Sequence, residues 1–155
     1  MEATKNVKNN IIMKALYCFV GYDSKEDIAY RVCKYSLLKR ASINVNVFSL
    51  KLDELIAKNY YRRDIDPLAS TQFTYSRFLV PALMKYNGWA IFCDCDFIFL
   101  NDIAKITENL DDTKAVYCVK HDYTPKEKHK MDGQKQTIYP RKNWSSFILY
   151  NCSHP

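Results

Sequence analysis

The stretch "IFCDCDFIFL" (91–100) sets Asp94 and Asp96 one residue apart within an apolar run. In an extended segment, side chains at i and i+2 point the same way, so the two carboxylates would project together. Neighbouring carboxylates repel, and burial among apolar residues raises their pKa values further. A hard divalent cation, Mn²⁺ or Mg²⁺, relieves both effects, because it takes oxygen ligands and fills its remaining positions with water or phosphate. A diphosphate leaving group is the natural companion of such a site. The sequence holds its own control: Asp64 and Asp66 in "RRDIDPL" (62–68) have the same spacing in a polar, proline-ended stretch that reads as a solvent-exposed loop. Spacing alone is weak; the apolar flanks of Asp94 and Asp96 carry the inference.

Two other chemistries compete for these residues. Cys93 and Cys95 could be half of a zinc site, but two further ligands would be needed, and along a strand the thiolates would face away from the aspartates. A haloacid-dehalogenase-type phosphohydrolase also places D-x-D after a hydrophobic strand. Its pattern continues with Thr or Val two residues on and lies near the N-terminus, whereas here Phe97-Ile98 follows and the motif is central.

The elements that would position the aspartates alternate. "KALYCFVGYD" (14–23) reads as a buried strand closed by Gly21. "SKEDIAYRVCKYSLLKR" (24–40) reads as a helix, with a capping box of Ser24 and Asp27 and an apolar stripe of Ile28, Val32, Tyr35 and Leu38. "INVNVFSL" (43–50) alternates like a strand, and 53–66 suggests a short helix and a loop. "STQFTYSRFLVPALM" (70–84) reads as a helix capped by Ser70 and kinked or divided at Pro81. "WAIFCDCDFIFL" (89–100) reads as a long central strand, 101–110 as a short helix, 115–123 as a strand and "SSFILYN" (145–151) as the last strand. The expected fold class is therefore an α/β sandwich with a mostly parallel sheet. Ligands of such sheets sit at the carboxyl ends of strands near a switch in strand order. Gly21-Tyr22-Asp23, Asp94-Cys95-Asp96 and His121-Asp122 all fall at such ends.

Composition bounds the partners. With 155 residues, the chain fits a polar tail (1–13) and a single domain (14–155). Its 23 Lys+Arg against 17 Asp+Glu give +6, suited to a nucleotide, a phosphorylated lipid or an anionic membrane face. No nucleic-acid recognition motif accompanies the charge, so nucleic acid is not an expected partner. The N-terminal apolar run is interrupted by Lys14, lacks a cleavage site and is too short to span a bilayer, which points to a cytoplasmic protein without a transmembrane segment. The six cysteines lie mostly in apolar, strand-like runs and read as reduced, buried residues. The chain ends at "NCSHP", directly after a strand and without a capping helix, and reads as C-terminally incomplete.

With "FVGYD", "TYSRFLVPALM" and "WAIFCDCDFIFL" in this order, residues 14–151 resemble nucleotide-sugar-dependent glycosyltransferases of the GT-A fold, a Rossmann-like sandwich. The likeness is nearest to glycosyltransferase family 8, which includes glycogenin and bacterial lipopolysaccharide galactosyl- and glucosyltransferases. The resemblance implies that Gly21, Tyr22 and Asp23 cradle the base and ribose of a UDP-sugar, and that Arg77 approaches its phosphate or sugar. It implies that Asp94 and Asp96 hold Mn²⁺ or Mg²⁺ against the diphosphate, with the Cys95 backbone beside the ribose. His121, Asp122, Asn143 and Trp144 are candidates for sugar or acceptor contacts. The family transfers its sugar with retention, here to a glycan or lipid-linked acceptor, with peripheral contact at the inner membrane face as a further expectation. Where family 8 has an "FNxG" segment, this chain has "NWSSFILYN"; the family's third metal ligand, a later histidine, has no match, and His154 is not placed to serve. A nucleotide-sugar-binding module without turnover is the alternative reading.

Overall fold

The computed structural model describes residues 15–121 and 142–155, with 121 and 142–144 defined by their backbone. The polar tail 1–13 and the segment 122–141, which carries Asp122, lie outside the described residues. Five strands form one sheet in the order β2-β1-β3-β5-β4: β1 (Leu16–Gly21), β2 (Val45–Leu50), β3 (Trp89–Cys93), β4 (Val116–His121) and β5 (Lys142–Asn151). β1 pairs in parallel with β2 and β3, while β5 runs antiparallel to both β3 and β4. All strands but β5 therefore share one direction. The chain leaves β1 toward β2, then returns across β1 to form β3, so the strand order switches between β1 and β3. In sheets of this kind, the carboxyl ends of strands at such a switch are where ligands bind.

Alternation along the strands sorts residues onto two faces. Leu16, Cys18 and Val20 of β1, with Ile91 and Cys93 of β3, meet Cys33 and Leu37 of helix α1 (Asp27–Arg40), and all are essentially buried. Phe19 and Gly21 share the other face with Phe92, against Phe73, the 3₁₀ turn Ser76–Leu79 and helix α3 (Val80–Leu83). β3 is buried at every position, as expected of a strand covered on both faces. Five of the six cysteines are buried and none is in a disulfide.

Several sequence expectations are corrected here. β3 stops at Cys93; Asp94 to Asp96 form a turn and 97–100 an irregular extended segment, so the long strand 89–100 does not exist. The Asp94 amide still continues the pairing, donating to the Ser146 carbonyl at 2.8 Å. The chain then turns, which brings Asp96 to the surface. The capping box of Ser24 and Asp27 is not formed. Asp23 caps instead, its carboxylate accepting from the Lys25 amide at 3.0 Å and opening a 3₁₀ turn, Ser24–Glu26, ahead of α1. The α1 stripe of Ile28, Val32, Tyr35 and Leu38 is exposed, because the sheet takes the opposite side through Cys33, Ser36 and Leu37. Residues 70–75 are turns rather than helix, and Pro81 sits in the first turn of α3, where its missing N–H costs nothing. The predicted helix 101–110 is a 3₁₀ segment, Ile103–Thr107, capped by Asp102 accepting from the Ala104 amide at 3.0 Å. Helix α2 (Leu52–Ala57) and the loop after it match expectation.

Gly21 is fixed by close packing. A Cβ added there would lie 2.6 Å from the Phe73 ring. Gly21→Ala is expected to destabilise the protein by about 1–3 kcal/mol in denaturant unfolding, the usual cost of overpacking. In a Phe73→Leu background the same change should cost far less; an equal cost in both would show that the ring is not the obstacle.

Candidate functional site

The sheet's carboxyl end gathers residues from four segments. Arg77, on the 3₁₀ turn Ser76–Leu79, is buried and directed at the end of β3. Its Nη1 donates to the Ser145 carbonyl at 2.9 Å and the Ser145 hydroxyl at 3.2 Å, which accounts for both of its N–H bonds. Its Nε donates to the Phe73 carbonyl at 3.4 Å. The guanidinium lies 5.4 Å from the centroid of the Phe73 ring and 5.1 Å from that of Phe92. Apolar rings and carbonyl dipoles hold the cation where water does not reach.

Asp94 stands against this cation, with Oδ1 3.2 Å from Arg77 Nη1. The contact is an ion pair without hydrogen-bond alignment, since Ser145 takes the Nη1 hydrogens. Asp94 Oδ1 is buried and has no hydrogen-bond partner among the described residues. Burial is the main force lifting the Asp94 carboxyl from its ordinary 3.8 to about 7; Arg77 opposes the rise, and the charges of Asp96 and Glu26 add to it. Asp96 is exposed. Asp94 is half-buried, its side chain 21% exposed with only Oδ1 fully covered, so the expectation of two buried aspartates is corrected for both.

Cys95 between them is buried, and its thiol donates to Glu26 Oε2 at 3.1 Å. This ties the D-x-D turn to the 3₁₀ turn after β1. On the other side, Cys33 of α1 touches both the Cys93 sulfur at 3.9 Å and the Asp94 carbonyl at 4.0 Å. Cys93 and Cys95 thus face different surroundings, and among the described residues no group of three or more His, Cys, Asp or Glu could hold a metal ion. The zinc reading has no support in this arrangement.

At the end of β1, Asp23 is buried and occupied. Besides capping, it accepts from the Gln72 amide at 3.1 Å, joining the β1 turn to the segment before Arg77. Tyr22 donates to Asp27 Oδ1 at 3.1 Å and packs edge-on against Tyr30. A cavity of about 230 Å³ opens beside Asp23, with Lys25, Tyr61, Asp66, Thr71 and Tyr75 among its lining. Asp66 is engaged in that lining, accepting from the Leu68 amide at 2.9 Å and the Tyr75 hydroxyl at 2.6 Å, so the control D-x-D is a loop brace. The start of β5 lies at the same sheet end, since β5 is antiparallel: Asn143 is in register with Lys120, Trp144 with Val119, and Lys142 with His121. Gly21 to Asp23, Arg77 and Asp94 to Asp96 are thereby brought to one end of the sheet, with the backbone of His121, Asn143 and Trp144 farther along it, while the cavity beside Asp23 is not lined by Arg77 or the D-x-D residues. Sequence reasoning missed Glu26 and Ser145. Neither lies in a motif, and both act through contacts formed by the fold.

Asp94 and the exposed Asp96 offer at most two oxygen-donor side chains among the described residues, and Asp94 Oδ1 faces Arg77, so a divalent ion there would take most of its ligands from water or phosphate. No helix among the described residues is long and apolar enough to cross a membrane.

No family model matches the chain. Protein CDI of Arabidopsis thaliana is 54% identical over 142 residues, which are 92% of this chain and 55% of that protein. The chain thus spans about half the length of the curated relative it matches. Among solved structures, the apo WbbM bifunctional glycosyltransferase superposes with a TM-score of 0.61 at 15% identity, covering 95% of this chain and 33% of that one. The apo form of the glycosyltransferase GlyE of Streptococcus pneumoniae TIGR4 gives 0.51 at 13% identity, covering 90% and 34%. The α/β, Rossmann-like fold with a mostly parallel sheet expected from the sequence is thus the fold shared with these glycosyltransferase structures.

The raised Asp94 carboxyl predicts a pH signature. The folded state holds this proton up to about pH 7 and the unfolded chain releases it near 4, so Asp94 contributes stability at low pH that is lost as pH rises from about 4 through about 7. In metal-free thermal melts, Asp94→Asn should gain on the wild type by several degrees between pH 4 and pH 8. A constant gap would mean that Asp94 titrates like an exposed carboxylate.

Proposed function

We propose that this chain binds a UDP-sugar and a divalent cation as part of a retaining glycosyltransferase resembling family 8. The observation that carries the reading is Asp94, whose Oδ1 is paired with Arg77 but has no hydrogen-bond partner, one residue from Asp96 at the strand-order switch where such sheets take their ligands. Asp94 and Asp96 would hold Mn²⁺ or Mg²⁺, and a bound ion would neutralise charge growing on a departing diphosphate. The backbone of Gly21 to Asp23, with the adjoining cavity, would receive the base and ribose, and the Cys95 backbone would flank the ribose. Arg77 would fix Asp94 and add positive potential near the phosphates, with its Nε hydrogen given to Phe73 and its Nη1 hydrogens to Ser145. His121, Asp122, Asn143 and Trp144 are the proposed edge toward the sugar and a glycan or lipid-linked acceptor. The chain's contribution to the reaction is then placement and charge stabilisation more than proton transfer.

Calorimetric titration with UDP tests this. Binding is expected with Mn²⁺ present, to weaken at least tenfold when it is chelated, and to be lost in Asp94→Ala and Asp96→Ala. Binding of UDP indifferent to the metal and to both substitutions would overturn the proposal. Transfer or hydrolysis of a UDP-sugar by this chain would separate a working transferase from a unit that only binds its donor.

A further inference from the structure

We propose that the outward face of α1 is a docking surface for anionic lipid membranes. Ile28 is 78% exposed, Val32 44%, Tyr35 63% and Leu38 45%, on a helix whose inward side is already satisfied by the sheet. The patch extends beyond the helix. The segment after the D-x-D turn runs alongside α1, with the Phe99 amide donating to Ser36 Oγ at 3.0 Å and Arg40 Nε to the Leu100 carbonyl at 3.2 Å. It leaves Ile98 60% and Leu100 74% exposed beside the helix. Six large apolar side chains on one surface exceed the scattered exposure that needs no explanation.

Charge identifies the occupant. Arg31, Lys39 and Arg40 are exposed among the apolar residues and Lys34 is half-exposed at the flank toward β2, against Asp27 as the helix's lone acidic residue. Three of the four cations fall in the last two turns, while Asp27 is held by Arg31 at 2.8 Å. Lysine is depleted at protein–protein interfaces, where its ammonium would lose water. At a lipid surface the long basic stems lie along the apolar boundary with their charges among the phosphates, and apolar side chains enter between headgroups. Tyr35, with Lys39 Nζ 5.4 Å from its ring centroid, is an amphipathic pair suited to headgroup depth. The surface begins two residues after Glu26, so docking would set this end of the sheet close to the membrane. This inference stands apart from the UDP-sugar reading, because no residue of the D-x-D site takes part in it.

Vesicle flotation of this chain tests the assignment, using phosphatidylcholine alone and phosphatidylcholine with phosphatidylserine. Flotation is expected with the serine-containing vesicles, reduced by added salt. Lys39→Glu should weaken it by at least roughly fivefold, from about one kcal/mol for the basic charge lost near the surface. Ile28→Ser/Tyr35→Ser should weaken it comparably with the charge unchanged, while Lys114→Glu, on the loop before β4, should change it far less. Absence of flotation, equal flotation with both vesicles, or equal loss in Lys114→Glu would overturn the proposal. So would concentration-dependent dimerisation abolished by Ile28→Ser/Tyr35→Ser, which would assign the face to a second copy of the chain.

Discussion

The organisation of this molecule depends on one buried cation. Arg77 lies between two aromatic rings, donates to backbone carbonyls of two segments far apart in sequence and faces the carboxylate that ends the central strand. A guanidinium removed from water is costly unless its donors are used and a countercharge is near. Those demands pull together the 3₁₀ turn that carries Arg77, the antiparallel strand β5 through Ser145, and the end of β3 through Asp94. The Tyr150 hydroxyl completes the link by donating to the Arg77 carbonyl at 3.2 Å.

The same cation sets the state of Asp94. Nη1 directs its hydrogens at Ser145, so it offers Asp94 charge without a hydrogen bond, and burial outweighs that attraction. The surroundings of Asp94 hold the turn in place rather than neutralising it. Cys95 is tied to Glu26, Cys33 rests on the Asp94 carbonyl, and the Asp94 amide is paired to β5. Asp23, whose oxygens are both taken by backbone amides, shows the opposite arrangement at the neighbouring strand end.

Much of the fold was legible because strand burial leaves a direct trace. β1 and β3 are apolar runs that end in Gly-Tyr-Asp and Asp-Cys-Asp, and the structure puts those ends side by side. The helix α1 was legible as a helix but not in its orientation. Its larger apolar residues suggest the inward side, yet the sheet takes the smaller set of Cys33, Ser36 and Leu37, where small side chains let the helix approach closely and Cys33 Sγ lies 3.9 Å from Cys93 Sγ. Residues 70–84 carry helical propensity that tertiary packing overrides, since Gln72 and Phe73 are held by Asp23 and Gly21. The length of β3 was overread because Phe97 and Phe99 look strand-like; they pack instead on Phe147 after the chain has turned. Asp94 and Arg77 could be singled out from residue type and setting. Their contact, and the roles of Ser145 and Glu26, depend on segments joined by the fold and leave no local pattern.

Arg77 and Asp94 act as one electrostatic unit, and a double-mutant cycle in denaturant unfolding at pH 8 measures their coupling. Arg77→Met alone should cost about 3–5 kcal/mol, because it leaves Asp94 Oδ1 buried without its cation. In an Asp94→Asn background the same substitution should cost less by at least about 1 kcal/mol, the coupling expected of residues in contact. Costs that add to within roughly 0.3–0.5 kcal/mol would mean that the two residues are independent, and would contradict the account of the site built on their pairing.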